Sequence, residues 1–338
     1  MLKKLSFVRG AVSEKDTIPV LKCFHIYDGR IQGTNGRLTI DAPCEELAGL
    51  AVNVSAEKFL KAVDICEGEP ELTVEGAFLR IRRGSFNAKL PLDTAEFNRH
   101  SPNGNVGEPT ASPLLPYLRA LAPFVGEDAS RPWACGVLFR DGAAYATSNV
   151  ILASIPAPVF EVPLNLPFFL VEELIRIGQE PLQVLAEGSV REVTHPFTGA
   201  VSTKMIYDNI TFTFADGSWI QSALLSAEWP DLDPMLPARD AVLPAVPEGL
   251  RAAVERIIPF CPDKKNPTIH FGSDGVSTAD GASNARIESF DLPTAIFRAE
   301  PLIRVLKQAT QMDLSTYPKP CPFKGATGLR GVFIGMRA

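Results

Sequence analysis

The sequence has no paired cysteines and no long apolar run. Its six cysteines are scattered along 338 residues without a Cys-x-x-Cys pair, which argues against a disulfide framework and against a zinc site. The longest apolar stretches, such as 164–171, are well short of the roughly 18 residues that a membrane span needs. Residues 1–4 lead into no signal-like apolar segment. We therefore expect a soluble, cytoplasmic protein.

An excess of positive charge is also absent. The chain has 33 Lys and Arg against 39 Asp and Glu, a net charge of −6. Non-specific affinity for DNA depends on basic side chains that neutralise phosphates. A protein that coats nucleic acid with its whole surface is therefore not expected, and any DNA contact has to be local.

Catalytic signatures are missing as well. The chain contains none of the motifs G-x-x-x-x-G-K-S/T, G-x-S-x-G and H-E-x-x-H. The four histidines, His25, His100, His195 and His270, have no metal-ligand spacing. We expect no enzyme, no metal and no cofactor. A hydrolase on an unfamiliar fold stays open as an alternative, and it would need a nucleophile outside these motifs.

Helical periodicity recurs along the chain. Hydrophobic residues make up 46% of the sequence, and the length suits two or three domains. Apolar residues at helical spacing predict six helices, in windows 2–13, 55–66, 113–125, 168–178, 247–258 and 299–310. Ser55 is a candidate N-cap. One core residue per window gives intervals of 58, 55, 56, 80 and 52 residues. The long interval indicates an insertion at 192–209, around His195, and a Pro-rich stretch at 230–247.

Asp-Gly turns give a second, longer period. Hairpins are predicted at Asp28-Gly29, Asp141-Gly142 and Asp274-Gly275, and their aspartates lie 113 and 133 residues apart. Short strand-like runs, such as 78–82 and 210–214, lie between the helices. The two periods together predict an α+β protein of three similar domains, 1–105, 106–238 and 239–338, each with two helix-plus-strands units. The alternative is an unrelated α+β chain with incidental turns.

Basic residues are concentrated in the predicted helices. The six windows hold 11 Lys and Arg but only 7 Asp and Glu, although the whole chain is acidic. A surface lined by these helices would be mildly basic and suited to phosphates rather than bases. The alternative is that they are ordinary solvent-facing residues. These candidate DNA-binding residues are Lys3, Lys4, Arg9, Lys58, Lys61, Arg119, Arg176, Arg251, Arg256, Arg304 and Lys307.

Seven short segments, spread over the whole chain, carry a resemblance to a known family. They are 15–21 (KDTIPVL), 53–59 (NVSAEKF), 84–90 (GSFNAKL), 131–139 (RPWACGVLF), 146–149 (ATSN), 226–231 (SAEWPD) and 331–337 (GVFIGMR). With these segments the chain resembles the bacterial and phage β-type DNA sliding clamps, the beta subunit of DNA polymerase III.

The resemblance implies a processivity-clamp fold, in which helices line the interior of a ring and antiparallel sheets form its outside. It implies a head-to-tail homodimer with twelve helices around double-stranded DNA. The family's partners are a replicative DNA polymerase and a clamp loader, which bind through short peptide motifs. A repeat-built structural or interaction protein that does not encircle DNA remains the alternative.

The resemblance also assigns site residues. Three loop positions are expected to touch DNA: Lys15, Arg131 and Trp133. For Trp133 a structural role is the alternative. The implied peptide pocket consists of Thr147, Val150, Ile151, Leu152, Pro230, Met235, Val332, Ile334 and Met336. Such an apolar, Met-containing groove suits aliphatic or aromatic anchors, although the same residues are also compatible with a plain core.

Two departures from the family pattern concern this pocket. Asn149-Val150-Ile151 stands where the family commonly has Gly-His-Arg, and Gly335 stands where a proline is usual. We therefore expect an unusual preference among peptide partners.

Overall fold

The computed structural model describes residues 1–13, 15–104, 106–109, 112–194, 201–273, 275–287 and 293–336. Its chain divides into two compact units. Unit 1 consists of Met1–Ala111 and Glu173–Ser226, and unit 2 of Ser112–Glu172 and Ala227–Ala338. The three predicted domains are defined by sequence repeats, and neighbouring repeats can share a sheet. Their boundaries after residues 105 and 238 therefore stay a prediction.

Each of the six predicted windows contains one α-helix, as the periodicity predicts. Ser55 occupies the N-cap position of the second helix, but its side chain makes no capping hydrogen bond. Helices this short are marginal by themselves and depend on tertiary packing. The helices are α1 Leu2–Val8, α2 Ala56–Ile65, α3 Leu115–Leu121, α4 Phe168–Ile177, α5 Leu250–Ile257 and α6 Ala299–Leu306.

Helix α2 shows how the sequence positions its charges. Phe59, Ala62 and Val63 are buried, whereas Lys58 and Lys61 are exposed. Residues three or four apart lie on the same face of a helix. One stripe of α2 therefore anchors it to the protein, and the opposite stripe turns two ammonium groups toward solvent.

A single antiparallel sheet of eleven strands forms unit 1, in the order β5-β6-β7-β4-β1-β2-β3-β15-β14-β13-β8. Helices α1 and α2 pack against each other and against this sheet. Residues 38–41 pair with 219–222, so two distant parts of the sequence meet in the middle of the sheet. Its strands are β1 Cys23–Tyr27, β2 Arg30–Thr34, β3 Leu38–Pro43, β4 Val52–Ser55, β5 Glu71–Glu75, β6 Phe78–Arg83, β7 Phe86–Asp93, β8 Val106–Pro109, β13 Gln183–Thr194, β14 Val201–Thr213 and β15 Trp219–Ala223.

Unit 2 contains a seven-stranded antiparallel sheet, β12-β9-β10-β11-β22-β21-β20, and a four-stranded one, β18-β17-β16-β19. Helix α3 packs on β10 and β11, and α5 packs on α6. The strands are β9 Gly136–Arg140, β10 Ala143–Thr147, β11 Ile151–Pro156, β12 Leu164–Pro167, β16 Thr268–Gly272, β17 Gly275–Ser277, β18 Asn284–Arg286, β19 Ala295–Arg298, β20 Ala309–Met312, β21 Cys321–Gly325 and β22 Arg330–Phe333.

Two of the predicted Asp-Gly hairpins are present. Asp28 and Gly29 have φ of 46° and 71°, and Asp141 and Gly142 have φ of 52° and 70°. Two consecutive positive φ angles define the type I′ turn that suits the twist of a hairpin. The third predicted turn includes Asp274, which lies outside the described residues.

The predicted insertion belongs to one long hairpin. Strands β13 and β14 pair from Gln183–Thr213 to Thr194–Val201, with a bulge between Glu187 and Gly188. The neighbouring strands pair only with its base, at 183–186 and 209–213. The extra sequence therefore lengthens two strands beyond the sheet. Residues 195–200, with His195, lie outside the described part.

Candidate functional sites

A cleft in unit 2 contains most of the predicted peptide pocket. Its volume is about 130 Å³. Seven of the nine predicted residues line it: Thr147, Val150, Ile151, Leu152, Met235, Val332 and Ile334. Pro230 and Met336 do not line it. The backbone of Met336 instead bonds to Ile296 and Tyr317.

The turn between β10 and β11 shapes one wall of the cleft. Asn149 has a φ of 69°, a left-handed conformation that asparagine tolerates better than most residues. The Thr147 hydroxyl donates to the carbonyl of Ile151 at 2.7 Å and closes this turn. The amide of Ile334 donates to the carbonyl of Val150 at 2.9 Å, which holds the chain after β22 beside the same turn.

The floor of the cleft is apolar and continues into the core. Leu152 pairs with Val332 across β11 and β22, and both belong to a buried cluster with Tyr145 and Trp229. At the rim, Met235 is 46% exposed. Ile334 is 42% exposed. Large apolar side chains that surround a concave site are typical of a surface that a partner covers.

Two residues that the resemblance assigned to DNA also line this cleft. Trp133 packs edge-on against Trp229, with ring centroids 5.1 Å apart. Arg131 donates to the side chain of Asn149 at 2.7 Å. Leu232 completes the lining and was missed by the sequence prediction. Its position, one residue after the quoted segment 226–231, was the available signal.

Tyr145, which belongs to the buried cluster below the cleft, contacts two charged side chains. The phenol of Tyr145 contacts Asp233 at 3.4 Å, and the guanidinium of Arg140 lies 5.4 Å from the Tyr145 ring centre. Burial raises the pKa of Tyr145, and the Asp233 carboxylate raises it further. Tyr145 is therefore a neutral hydrogen-bond donor at physiological pH.

The predicted helix cations fall into two groups. Six of them are exposed and form no ion pair within the described residues: Lys3, Lys58, Lys61, Arg119, Arg256 and Lys307. Arg9 and the loop residue Lys15 are exposed as well, although Arg9 has an interaction partner within the chain. These side chains are accessible to a polyanion.

The other four helix cations are engaged locally. Lys4 pairs with Asp216, and Arg251 pairs with Glu255 at 2.9 Å. Arg304 pairs with Glu300 and donates to the carbonyl of Pro123 at 3.1 Å. Arg176 has the most contacts.

Arg176 links α1 to residues 173–177 of α4, the part of that helix that belongs to unit 1. It pairs with the buried carboxylate of Glu173 and donates to the carbonyls of Ser6 and Phe7 at 3.0 and 2.8 Å. A side chain added at Gly10 would lie within 2.4 Å of the Glu173 carboxylate, so the carboxylate would have to shift to make room for it. This guanidinium is therefore part of the packing between α1 and α4.

Within the described residues, no group of three or more His, Cys, Asp or Glu is arranged to hold a metal ion. No helix in that part of the chain is long and apolar enough to cross a membrane.

No protein-family model and no curated protein sequence matches the chain. Solved structures do. The sliding clamp of Bacillus subtilis is 17% identical and has a TM-score of 0.74, with 100% of this chain and 97% of the clamp covered. The DNA polymerase III beta subunit of Thermotoga maritima is 16% identical, with a TM-score of 0.74 and the same coverage. A Pseudomonas aeruginosa sliding clamp bound to griselimycin is 19% identical, with a TM-score of 0.70 and the same coverage.

The chain has the fold of the bacterial DNA sliding clamps. The predicted α+β class, with three similar domains of repeated units, is thereby confirmed.

Proposed function

We propose that this protein is a DNA sliding clamp, a non-enzymatic cytoplasmic processivity factor of bacterial or phage origin. It encircles duplex DNA and tethers the replicative DNA polymerase. The observation that carries the proposal is the likeness to sliding clamps over the full length of the chain, at 97% coverage of the clamps compared. The cations on the exposed helix faces support it, because they occur on an otherwise acidic chain.

In this proposal two chains associate head to tail. Each contributes six helices, so that twelve helices surround the duplex. Such contacts are heterologous, and they close into a ring only when the rotation between subunits permits it. The three predicted domains, 1–105, 106–238 and 239–338, are the repeating parts of that ring.

Phosphates are then contacted by the exposed cations that form no ion pair within the described residues. Lys58 and Lys61 on α2 and Arg119 on α3 are the leading candidates, because their side chains face solvent. Arg176 and Arg304 are less available, because both donate to backbone carbonyls. The contacts are to the backbone of DNA, so binding is independent of sequence.

The cleft of unit 2 is the proposed docking site for short peptide motifs of the polymerase and of a clamp loader. Its apolar floor and exposed rim suit aliphatic or aromatic anchors. Trp133 is assigned here to the cleft wall, because it packs on Trp229 beside that floor.

Encirclement is tested by retention on DNA. Labelled protein is loaded on nicked circular DNA with its cognate loader, and the DNA is then linearised. Retention on circles with loss from linear DNA, together with a light-scattering mass of two chains, is expected. Equal retention on both forms, or none with an active loader, would favour a repeat-built interaction protein instead.

The phosphate contacts are tested by neutralising α2. The double variant Lys58→Gln, Lys61→Gln removes two charges and lowers the salt dependence of DNA binding by about two counterions. Arg82→Gln, on the exposed end of β6, is the matched control and leaves the slope unchanged. A slope unaffected by the double variant would remove α2 from the DNA-binding surface.

The peptide site is tested at its rim. Met235→Ser weakens binding of an apolar pentapeptide by about tenfold or more, since it removes one buried anchor contact. Met205→Ser is the control, because Met205 is also an exposed methionine but lies on the β13–β14 hairpin. Equal effects of the two substitutions would place the peptide elsewhere.

A further inference from the structure

A second cleft, of about 640 Å³, lies within unit 1. It is built on strands β2, β3 and β15, whereas the candidate peptide cleft is built on β10, β11 and β22. The two clefts can be compared residue by residue, because their strands pair in the same register.

The strand pairings that form the two clefts match, with a constant difference in residue number between β2–β3 and β10–β11. Thr34 pairs with Thr39 in β2–β3, and 113 positions later Thr147 pairs with Leu152 in β10–β11. The third strand continues the correspondence. It pairs Gln221 with Thr39 in unit 1, and in unit 2 it pairs Val332 with Leu152.

The turns coincide as well. In unit 1 the Thr34 hydroxyl donates to the carbonyl of Leu38 at 3.1 Å and accepts from the amide of Gly36 at 3.2 Å. The Thr147 hydroxyl makes the equivalent bonds, to Ile151 at 2.7 Å and from Asn149 at 3.4 Å. Gly36 has a φ of 80° and Asn149 a φ of 69°.

The segments on the other side of the two clefts also correspond. The sequence Ala-Glu-Phe ends at the buried Phe97, and Ala-Glu-Trp ends at the buried Trp229. Three and six residues after Phe97, His100 and Asn103 line the unit 1 cleft. At the same distances after Trp229, Leu232 and Met235 line the unit 2 cleft.

What differs is the chemistry of the lining. Four of the apolar residues that line the unit 2 cleft are Leu152, Val332, Leu232 and Met235. Their counterparts in unit 1 are Thr39, Gln221, His100 and Asn103. Gln221 donates to Asn103, Asn103 to Glu187 at 2.8 Å and Thr39 to Thr34 at 3.0 Å, so this lining is polar and already hydrogen-bonded. An apolar anchor placed on it gains less than on the apolar floor of the unit 2 cleft, because it displaces water from polar atoms. At these strand positions the unit 1 cleft disfavours the apolar anchors that suit the unit 2 cleft, whereas Ile18, Val20 and Leu21 give it apolar lining elsewhere.

Charge gives the unit 1 cleft a preference of its own. Arg37 replaces Val150 at the turn, is exposed, and forms no ion pair within the described residues. Glu96 also lines the cleft. A fitting ligand therefore offers a carboxylate to Arg37 and a hydrogen-bond donor to Glu96.

We propose that the unit 1 cleft is a second peptide-binding site, selective for hydrophilic, extended segments that carry an acidic side chain for Arg37. The choice of a peptide as its occupant rests on the proposed function of the unit 2 cleft. The chain then presents two related sites, one for apolar anchors and one for polar segments.

The test is calorimetric titration of the full-length protein with two kinds of acetylated, amidated pentapeptide. One kind is an apolar probe, Ser-Leu-Ser-Leu-Phe. The other is a set that places one aspartate at each position of a Ser/Asn/Lys background. At least one aspartate peptide binds with one site per chain, and Arg37→Gln weakens it about tenfold or more. Arg37→Gln leaves binding of the apolar probe unchanged.

A variant that converts the lining gives a second readout. Thr39→Leu, His100→Leu, Asn103→Met and Gln221→Val together raise the stoichiometry of the apolar probe from one site per chain to two. If this variant fails to fold, the titration of the Arg37→Gln variant tests the proposal by itself.

The proposal is overturned when no aspartate peptide binds, or when Arg37→Gln leaves that binding unchanged. Failure of the apolar probe alone, with aspartate peptides still bound through Arg37, counts against the unit 2 cleft instead. The two proposals therefore fail in different ways.

Discussion

Strands β1–β3 of unit 1 and β9–β11 of unit 2 share one backbone plan and differ in what they bury. In unit 1 the carboxylate of Asp41 is fully buried and accepts from Tyr27, Arg30 and Gln32 at 2.6, 2.7 and 3.0 Å. At the matching positions of β10 and β11, unit 2 has Ala143, Tyr145 and Ser154. The shared plan is thus fixed by register and turn residues, whereas the side chains between the turns diverge.

The difference shows which interactions specify this architecture. An ionic network occupies these strand positions in unit 1 and uncharged residues occupy them in unit 2, so neither set is required to form the sheet. A buried charge is tolerated in unit 1 because every acceptor site of Asp41 is used. Removing one partner of an ion pair should therefore lower the stability of unit 1 more than that of unit 2.

The largest difference is expected at Arg30. Arg30→Met leaves the Asp41 carboxylate buried without its cation and destabilises unit 1 by about 3 kcal/mol. Arg140→Met in unit 2 costs less than about 1 kcal/mol, since its partners Asp141 and Asp233 are exposed. Native-state hydrogen exchange on β1–β3 and β9–β11 measures both. Equal losses would mean that the network of unit 1 is no more critical than a surface pair.

The next largest effect is expected at the helix cations. Arg176→Met leaves the buried Glu173 carboxylate unpaired and lowers the stability of unit 1 by about 2 kcal/mol. Arg119→Met on α3 changes stability by less than about 0.5 kcal/mol but weakens DNA binding. Urea unfolding and DNA titration of both variants separate the two roles, and a reversal of this order would return Arg176 to the DNA-binding surface.

A smaller effect concerns pH. Burial lowers the pKa of His25, although its hydrogen bond with Asn53 opposes the shift. The unfolded chain therefore binds a proton at higher pH than the folded chain, and unit 1 loses stability as the pH falls below about 6.5. His25→Leu, which introduces the residue of the matching position Leu138, should reduce this loss.

Unit 1 has a single tryptophan, Trp219, which reports its unfolding selectively. With Trp133→Phe and Trp229→Phe as background, urea midpoints at pH 7.5 and 5.5 are compared with and without His25→Leu. An unchanged difference between the two midpoints would exclude His25 as its source.

The smallest effect is expected for an exposed pair of unit 1. Burial raises the pKa of Asp216, but hydrogen bonds from Lys4 and Ser218 outweigh it and bring the pKa to about 2. The stabilisation is therefore present above the unfolded value of 3.8 and is lost as the pH falls toward 2. Both side chains are partly exposed, so Asp216→Asn costs about 0.5 kcal/mol at neutral pH.

Asp240→Asn, at an exposed position of unit 2, is the control for that substitution. Acid titration followed by Trp219 fluorescence in the same background distinguishes the two variants. A cost well above that of an exposed pair would show that Asp216 has a further role in unit 1.

Sequence reasoning succeeded where structure is local. The six helices follow from apolar residues a turn apart, and the turns at Asp28-Gly29 and Asp141-Gly142 follow from positive φ at adjacent positions. The segments around the unit 2 cleft, and seven of the residues that line it, were found by resemblance. Leu232 lies beyond the matched segment and lines the cleft only after the chain turns back.

The pairing of strands that are distant in the sequence could not be predicted. Nothing in the residues of β3 indicates that it pairs with β15, because both strands are apolar enough to fit beside several others. The Asp41 network was missed for the same reason. Asp41 is the one charged residue of β3, and its donors are on β1 and β2, so its partners are defined only by strand register.

The long β13–β14 hairpin is a suitable place to attach a label to this protein. Beyond Gly188 its two strands pair only with each other, and Val190 and Met205 are exposed there. A cysteine or a short epitope placed at Val190 or Met205 would lie beyond the part of the hairpin that pairs with neighbouring strands of unit 1, and neither residue lines the unit 1 cleft. Removing equal numbers of residues from the two strands would shorten the ribbon in register, which turns its length into an adjustable spacer for a dye.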